Sequence, residues 1–271
     1  MTGVERIAEA FESARANGRR AALMPYMMGG FPDLETSRRI GLAYAGAGAD
    51  LVELGVPFSD PLADGPVIHA AGTAALRAGT TLDHVLEVAR ALAPEVALVV
   101  MCYSNVILAR GIERFADALV QAGASGVIVP DLPIEEAAEM LGVCDRRGLA
   151  LVPLVAPTTP DERLGLIGAR ARGFVYTVSL TGTTGERASV DGGLAGVIAR
   201  AAAHTEVPVA VGFGIATPEQ AAAAADAGAE GVIIGSRLVR AAGEAEDPVA
   251  DVGELVREFS VALRQSAAGV G

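Results

Sequence analysis

Glu53 interrupts the apolar run Leu51-Val52-Glu53-Leu54, where a hydrophobic side chain would pack at no electrostatic cost. A carboxyl desolvated in a strand has its pKa raised, which suits proton exchange near neutral pH. The structural alternative is an ion pair with an arginine across the fold. The following segment, Pro57-Phe58-Ser59-Asp60-Pro61-Leu62-Ala63-Asp64-Gly65-Pro66, is stiffened by three prolines and carries two aspartates. A rigid loop of this kind can hold a hydrogen-bond acceptor over a site, although either aspartate can also form a turn or ligate Mg²⁺. Too few further carboxylates accompany them to make a metal site the expectation, and no Cys/His cluster has zinc spacing.

Toward the C-terminus three glycine-bearing stretches follow apolar runs: Thr181-Gly182-Thr183-Thr184-Gly185, Gly212-Phe213-Gly214 and Gly235-Ser236. Glycine lets backbone amides approach phosphate oxygens, and the Ser236 hydroxyl adds a donor. The Thr/Gly stretch also suits a lid. Tyr26, Tyr176 and Phe213 are candidates for the wall of an aromatic pocket, although a residue of this kind taken singly is more often core.

The formal net charge of -12 disfavours nucleic acid and repels a phosphorylated ligand at long range, so any phosphate site has to be built locally. All 21 basic residues are arginine. Without lysine the chain has no side-chain amine for a Schiff base, which excludes lysine-dependent aldolase chemistry and covalent pyridoxal phosphate. Cys102 lies in an apolar run, and buried thiols are expected for it and Cys144 rather than a disulfide. His69, His84 and His204 read as surface residues. Met1 to Arg20 carries Glu5, Glu9 and Glu12 and does not resemble a secretory signal, and no apolar stretch reaches membrane-spanning length. A cytoplasmic protein is expected.

The elements that must position these groups alternate between short apolar runs and Ala-rich helical segments, a βαβα rhythm without a linker. Eight strands are expected: Ala22 to Met27, Leu51 to Leu54, Val96 to Met101, Gly126 to Val129, Ala150 to Val155, Phe174 to Val178, Val207 to Val211 and Gly231 to Ile234. Their continuous hydrophobicity fits strands buried on both faces. A weak repeat, Ala47-Gly48-Ala49, Ala122-Gly123-Ala124 and Ala227-Gly228-Ala229, puts a helix-stopping glycine before three of them. Thr159-Pro160-Asp161-Glu162 and Thr217-Pro218-Glu219-Gln220 each read as a Thr N-cap with Pro at the first helical position. The expected fold is therefore α/β: one (β/α)8 TIM barrel over residues 1–271, with an additional N-terminal helix presenting Val4, Ile7, Ala8 and Phe11 to the barrel bottom. An open doubly wound sheet is the alternative, but it would leave two edges, and no GxGxxG turn follows the first strand. In a barrel, functional groups gather at the C-terminal strand ends, where Glu53, Asp64 and the glycine stretches fall.

These residues resemble the tryptophan synthase α subunit family along nearly the whole chain. The most specific match is Glu53 through Pro66; Pro130-Asp131-Leu132-Pro133, Thr184-Gly185, Gly212-Phe213-Gly214-Ile215 and Gly235-Ser236 support it. The resemblance implies a lyase of tryptophan biosynthesis that splits indole-3-glycerol phosphate into indole and glyceraldehyde 3-phosphate. It implies Glu53 as the general acid/base, Asp64 as acceptor of the indole N–H, and Tyr176 against the substrate. Tyr26 and Phe213 are implied beside the indole or glycerol phosphate, with Thr184, Gly185, Gly214, Gly235 and Ser236 at the phosphate loops. It further implies no cofactor in this chain and a pyridoxal-phosphate-bearing β subunit in an α2β2 complex, with Asp60 and Asn105 near that partner. Met28-Gly29-Gly30, Leu180 and Thr183 depart from the family pattern. A histidine-pathway isomerase barrel is disfavoured because Tyr26-Met27 and Val155-Ala156 occupy the strand ends where it needs aspartates. An indole-glycerol-forming synthase would need lysine, and a catalytically dead barrel would not be expected to keep both Glu53 and Asp64.

Overall fold

The computed structural model describes residues 1–178, 193–212 and 214–264. Nine parallel strands are found there: β1 (Ala22–Met28), β2 (Leu51–Gly55), β3 (Ala97–Met101), β4 (Gly126–Ile128), β5 (Ala150–Val152), β6 (Leu154–Val155), β7 (Val175–Val178), β8 (Val209–Gly212) and β9 (Gly231–Ile234). Around them lie α1 (Gly3–Ala16), α2 (Leu34–Gly46), α3 (Pro66–Arg77), α4 (Leu82–Leu92), α5 (Ser104–Arg110), α6 (Ile112–Gln121), α7 (Ala138–Arg147), α8 (Asp161–Arg170), α9 (Gly193–Ala202), α10 (Pro218–Asp226), α11 (Ser236–Glu244) and α12 (Pro248–Ala262).

The sheet order is β5-β4-β3-β2-β1-β9-β8-β7-β6. Its two ends, β5 and β6, are separated in sequence only by Pro153, so the sheet closes on itself and the open-sheet alternative falls. The fifth expected strand is thus divided at Pro153, which has no N–H to donate; its carbonyl accepts the Tyr176 N–H at 2.9 Å. Prolines also account for the largest shift of a boundary. The seventh strand begins at Val209 rather than Val207, because Pro208 supplies only a carbonyl, which takes the Val175 N–H at 2.8 Å. The first, second, third, fourth and sixth differ from expectation by one residue at an end, as strand boundaries commonly do.

Side chains alternate between two cores, as a strand period of two requires. Met24, Tyr26, Leu51, Val99, Ile128, Val152, Phe174, Tyr176, Ala210 and Ile233 share the inner cluster, while Leu23, Val52, Leu54, Leu98, Val100, Val127, Val211 and Val232 pack with the helices. Both faces are buried, which is why the strands read as unbroken apolar runs. Helix α1 closes the N-terminal end: Ile7, Phe11 and Ala14 join the inner cluster, and the rings of Phe11 and Phe174 lie 5.9 Å apart. Ala8, expected on that face, is exposed.

Local signals mostly act as anticipated. Gly48, Gly123 and Gly228, the three glycines of the repeat, have φ of 99°, 74° and 102°. Thr217 caps α10 through a full capping box with Gln220. Thr159 does not cap α8: its hydroxyl accepts the Ala156 N–H at 2.9 Å, and the helix starts at Asp161 behind Pro160. Cys102 and Cys144 are buried free thiols. His69 is exposed, but His84 is half-buried and its Nδ1 accepts the Thr81 N–H at 3.3 Å, so it serves as a cap rather than a bystander.

Candidate active site

The C-terminal end of the barrel opens into a cavity of about 1220 Å³ lined by Tyr26, Glu53, Asp64, Tyr176, Gly214, Gly235 and Ser236. Seven of the residues singled out from the sequence therefore face one space. Leu180, Phe213 and the stretch Thr181 to Gly185, expected as a lid and holding Thr183, Thr184 and Gly185, lie outside the described residues. Asp60 and Asn105 are exposed and do not line the cavity.

Glu53 is placed by its register on β2, opposite Tyr26 of β1 and Val99 of β3. It is 2% exposed, and its Oε2 has no hydrogen-bond partner. Burial, and then the nearby charge of Asp64, raises its pKa to about 8. A carboxyl in this state carries a proton at neutral pH and can both give and recover it.

Tyr26, beside it on β1, and Tyr176, on β7, belong to the inner layer. A Cβ at Gly55 would fall 2.1 Å from the Tyr26 hydroxyl oxygen, and one at Gly212 would fall 2.2 Å from that of Tyr176. Glycine at the ends of β2 and β8 is what lets these rings lie across the strands. Both phenols are buried and held well above their ordinary pKa, first by desolvation, so they remain neutral donors.

Asp64 stands half-buried at the end of the loop after β2. Burial raises its pKa, while a hydrogen bond from Tyr103 and the proximity of His69 oppose that rise. The Tyr103 hydroxyl donates to Asp64 Oδ1 at 2.9 Å and accepts the Ala63 N–H at 3.0 Å. Tyr103 was not anticipated from the sequence. Its signal was available: it follows β3 by two residues, at the strand end where a barrel places its chemistry. Asp60 Oδ2 accepts from Ser59 Oγ at 2.5 Å on the exposed part of the same loop.

On the far side of Tyr26 the cavity changes character. Gly235 is the N-cap of α11 without a capping side chain, no acidic residue occupies the first turn, and Ser236 and Arg237 begin the helix toward the cavity. The first amides of a helix lack intrahelical acceptors and favour an anion. Strands β2 and β9 flank β1, so Glu53 and this helix start are two strand spacings apart, roughly 10 Å along the sheet. The same cavity is also lined by the apolar Ile68, Ile128, Val152, Leu154 and Ile233. Such a space takes a flat apolar group near a protonated carboxyl and an anionic arm at the other end.

Comparison with known proteins identifies the family. The profile of the tryptophan synthase alpha chain family matches residues 11–267. The tryptophan synthase alpha chain of Synechococcus sp. (strain CC9902) is 49% identical over 236 residues, covering 86% of this chain and 87% of its own. That of Methanosarcina acetivorans is 46% identical, covering 88% and 86%. A solved structure of Mycobacterium tuberculosis tryptophan synthase superposes with a TM-score of 0.90 at 38% identity, over 96% of this chain and 99% of that one. The alpha subunit of Legionella pneumophila str. Paris gives 0.86 at 36% identity, over 95% and 98%. This chain belongs to the tryptophan synthase alpha chain family, whose members cleave indole-3-glycerol phosphate to indole in tryptophan biosynthesis.

Proposed function

We propose that the cleavage runs on Glu53 and Asp64 as a retro-aldol reaction without a Schiff base. The observation that carries this reading is the Glu53 carboxyl, buried, unpartnered at Oε2 and protonated up to about pH 8. Protonated Glu53 gives its proton to indole C3, making an indoleninium cation. Asp64 accepts the ring N–H and offsets the positive charge. The Glu53 carboxylate then takes the proton of the glyceryl hydroxyl as the bond to C3 breaks, its electrons returning to the ring. Indole and glyceraldehyde 3-phosphate leave, and Glu53 is protonated again. Two carboxyls with separate tasks are what this chemistry needs. Tyr26 and Tyr176 wall the indole, and Gly214, Gly235 and Ser236 donate to the phosphate, with Thr184, Gly185 and Phe213 assigned to the same site by family pattern alone.

The family works with a β subunit, which holds the pyridoxal phosphate. We infer that this chain needs no cofactor of its own and joins that partner as α2β2. Leu62 and Leu108 are 84% and 63% exposed beside Asp60 and Asn105 on the neighbouring loop and on α5. A single apolar surface there would suit docking. We further infer one domain over residues 1–271, since the Arg20 N–H donates to the Leu263 carbonyl at 2.8 Å and ties the first strand to the end of α12. Cytoplasmic location is inferred from the free thiols. Among the described residues no helix is long and apolar enough to cross a membrane.

Indole release from indole-3-glycerol phosphate, measured for the chain alone and with its β subunit, tests the mechanism. Glu53→Gln is expected to abolish release with the fold intact, and Asp64→Asn to lower turnover by roughly a hundredfold or more. Wild-type turnover in either variant would remove the mechanism.

A further inference from the structure

Tyr103 touches the loop after β2 at three places. Its hydroxyl donates to Asp64 Oδ1 at 2.9 Å and accepts the Ala63 N–H at 3.0 Å, and its ring stacks on Phe58 with 5.1 Å between centroids and 26° between planes. It is 2% exposed. A phenol has one proton and can also accept, whereas an amide N–H can only donate. The Ala63 amide therefore takes a lone pair of the phenolic oxygen and leaves the phenolic proton for the carboxylate. The direction matters, because a donated hydrogen bond favours an ionised carboxylate over its neutral form. Asp64 and Glu53 line the same cavity and repel when both are charged, so they compete for a proton as a pair.

We propose that Tyr103 is a positioning residue for the cleavage: its hydroxyl, oriented by the Ala63 amide, assigns the shared proton to Glu53 and keeps Asp64 ionised. Asp64 Oδ1 is thereby committed to the phenol, and Oδ2 is the oxygen left to accept the indole N–H. The proposal rests on the reading of Asp64 as that acceptor. The donor acts in the same sense as the difference in burial between Glu53, which is buried, and Asp64, which is half-buried, and widens the gap between their protonation states.

The test is Tyr103→Phe, which keeps the ring and its stack on Phe58 and deletes only the hydroxyl. Indole release is followed in the complex with the β subunit from about pH 5 to about pH 9. The expected result is a kcat lowered about ten- to hundredfold at neutral pH, with KM within about threefold of wild type. The acid limb of the kcat profile is expected to move upward by about one pH unit, because Asp64 without its donor ionises later. Added to Asp64→Asn, the same substitution is expected to change kcat by less than about twofold, since the hydroxyl acts through the carboxylate. A second variant, 3-fluorotyrosine at position 103, makes the phenol a stronger donor, and the acid limb is expected to move the other way. A structural role alone would lower the melting temperature or raise KM and leave the acid limb in place; an unmoved limb in both variants overturns the proposal. Wild-type turnover by Asp64→Asn would instead overturn the reading of Asp64 beneath it.

Discussion

Two carboxyls frame strand β2, Asp50 before its first residue and Glu53 at its centre, and the chain treats them oppositely. Asp50 Oδ2 accepts from Arg19 Nη1 at 3.0 Å and from the Leu23 N–H at 2.8 Å. Arg19 is anchored in turn, its Nη2 donating to Ser260 Oγ of α12 at 2.9 Å. Glu53 has an oxygen buried with nothing to accept from. Burial raises the pKa of both, but the Leu23 amide and Arg19 oppose the rise at Asp50, whereas at Glu53 the charge of Asp64 adds to it. The N-terminal end of the barrel is built to hold a charge and the C-terminal end to hold a proton. The division of labour between the faces of this fold, stability below and chemistry above, here comes down to partners supplied or withheld.

The comparison breaks most visibly if the lower network is unnecessary. Arg19→Met keeps the aliphatic stem and removes the guanidinium, which leaves the Asp50 carboxylate without its ion pair and Ser260 without its donor. The expected cost is about 3–5 kcal/mol in chemical denaturation, with indole release per folded molecule unchanged. A cost below about 1 kcal/mol would mean that solvent serves Asp50 as well as Arg19 does, and the contrast with Glu53 would be one of position only.

The two carboxyls were not equally legible in the sequence. Glu53 was visible because a charge stands out in a strand that must be apolar on both faces. Asp50 sits in an ordinary helix-to-strand turn, its partners are Arg19 and the Leu23 amide, and Arg19 is held in turn by Ser260, so only the closed barrel reveals the network. The strands were legible from hydrophobicity, and their larger errors fell at Pro153 and Pro208, where a missing N–H rather than side-chain polarity ends pairing. Thr159 and Thr217 begin the same Thr-Pro-acid pattern, yet one hydroxyl caps its helix and the other an earlier turn. Local letters do not decide between competing donors nearby. Tyr103 was missed because a tyrosine after an apolar run is ordinarily core, and its role depends on a loop that begins 47 residues upstream at Val56.

A second measurement sharpens the contrast from the other end. The Glu53 pKa is raised from 4.5 to about 8 in the folded chain, so between those values the folded state binds more protons than the unfolded one. Stability must then fall as pH rises through that window and level off above it. Glu53→Gln removes the ionisable group and, with it, this dependence. The variant is expected to be more stable than wild type by roughly 2–4 kcal/mol near pH 8.5 and equal to it near pH 4. Paired denaturation curves at the two pH values decide the matter. Equal stability at both would show that Glu53 ionises freely in the fold, and the argument for it as a proton store would fail.

The smallest effects ask whether the two ends differ in polarity or only in charge. The N-terminal end also contains an unpartnered hydroxyl: Ser125 Oγ, fully buried just ahead of β4. If that end required every polar group to be paired, this oxygen would be an anomaly; if the requirement concerns charge, it is tolerable. Ser260→Ala takes an acceptor from a buried guanidinium and is expected to cost about 1–2 kcal/mol. Ser125→Ala removes a hydroxyl that bonds to nothing, so its stability is expected to stay within about 0.5 kcal/mol of wild type or to rise slightly. A large loss at Ser125, equal to that at Ser260, would assign the lower end a need for hydrogen bonding in general. A difference between the two serines would trace the asymmetry of the barrel to the ion it buries below and the neutral acid it keeps above.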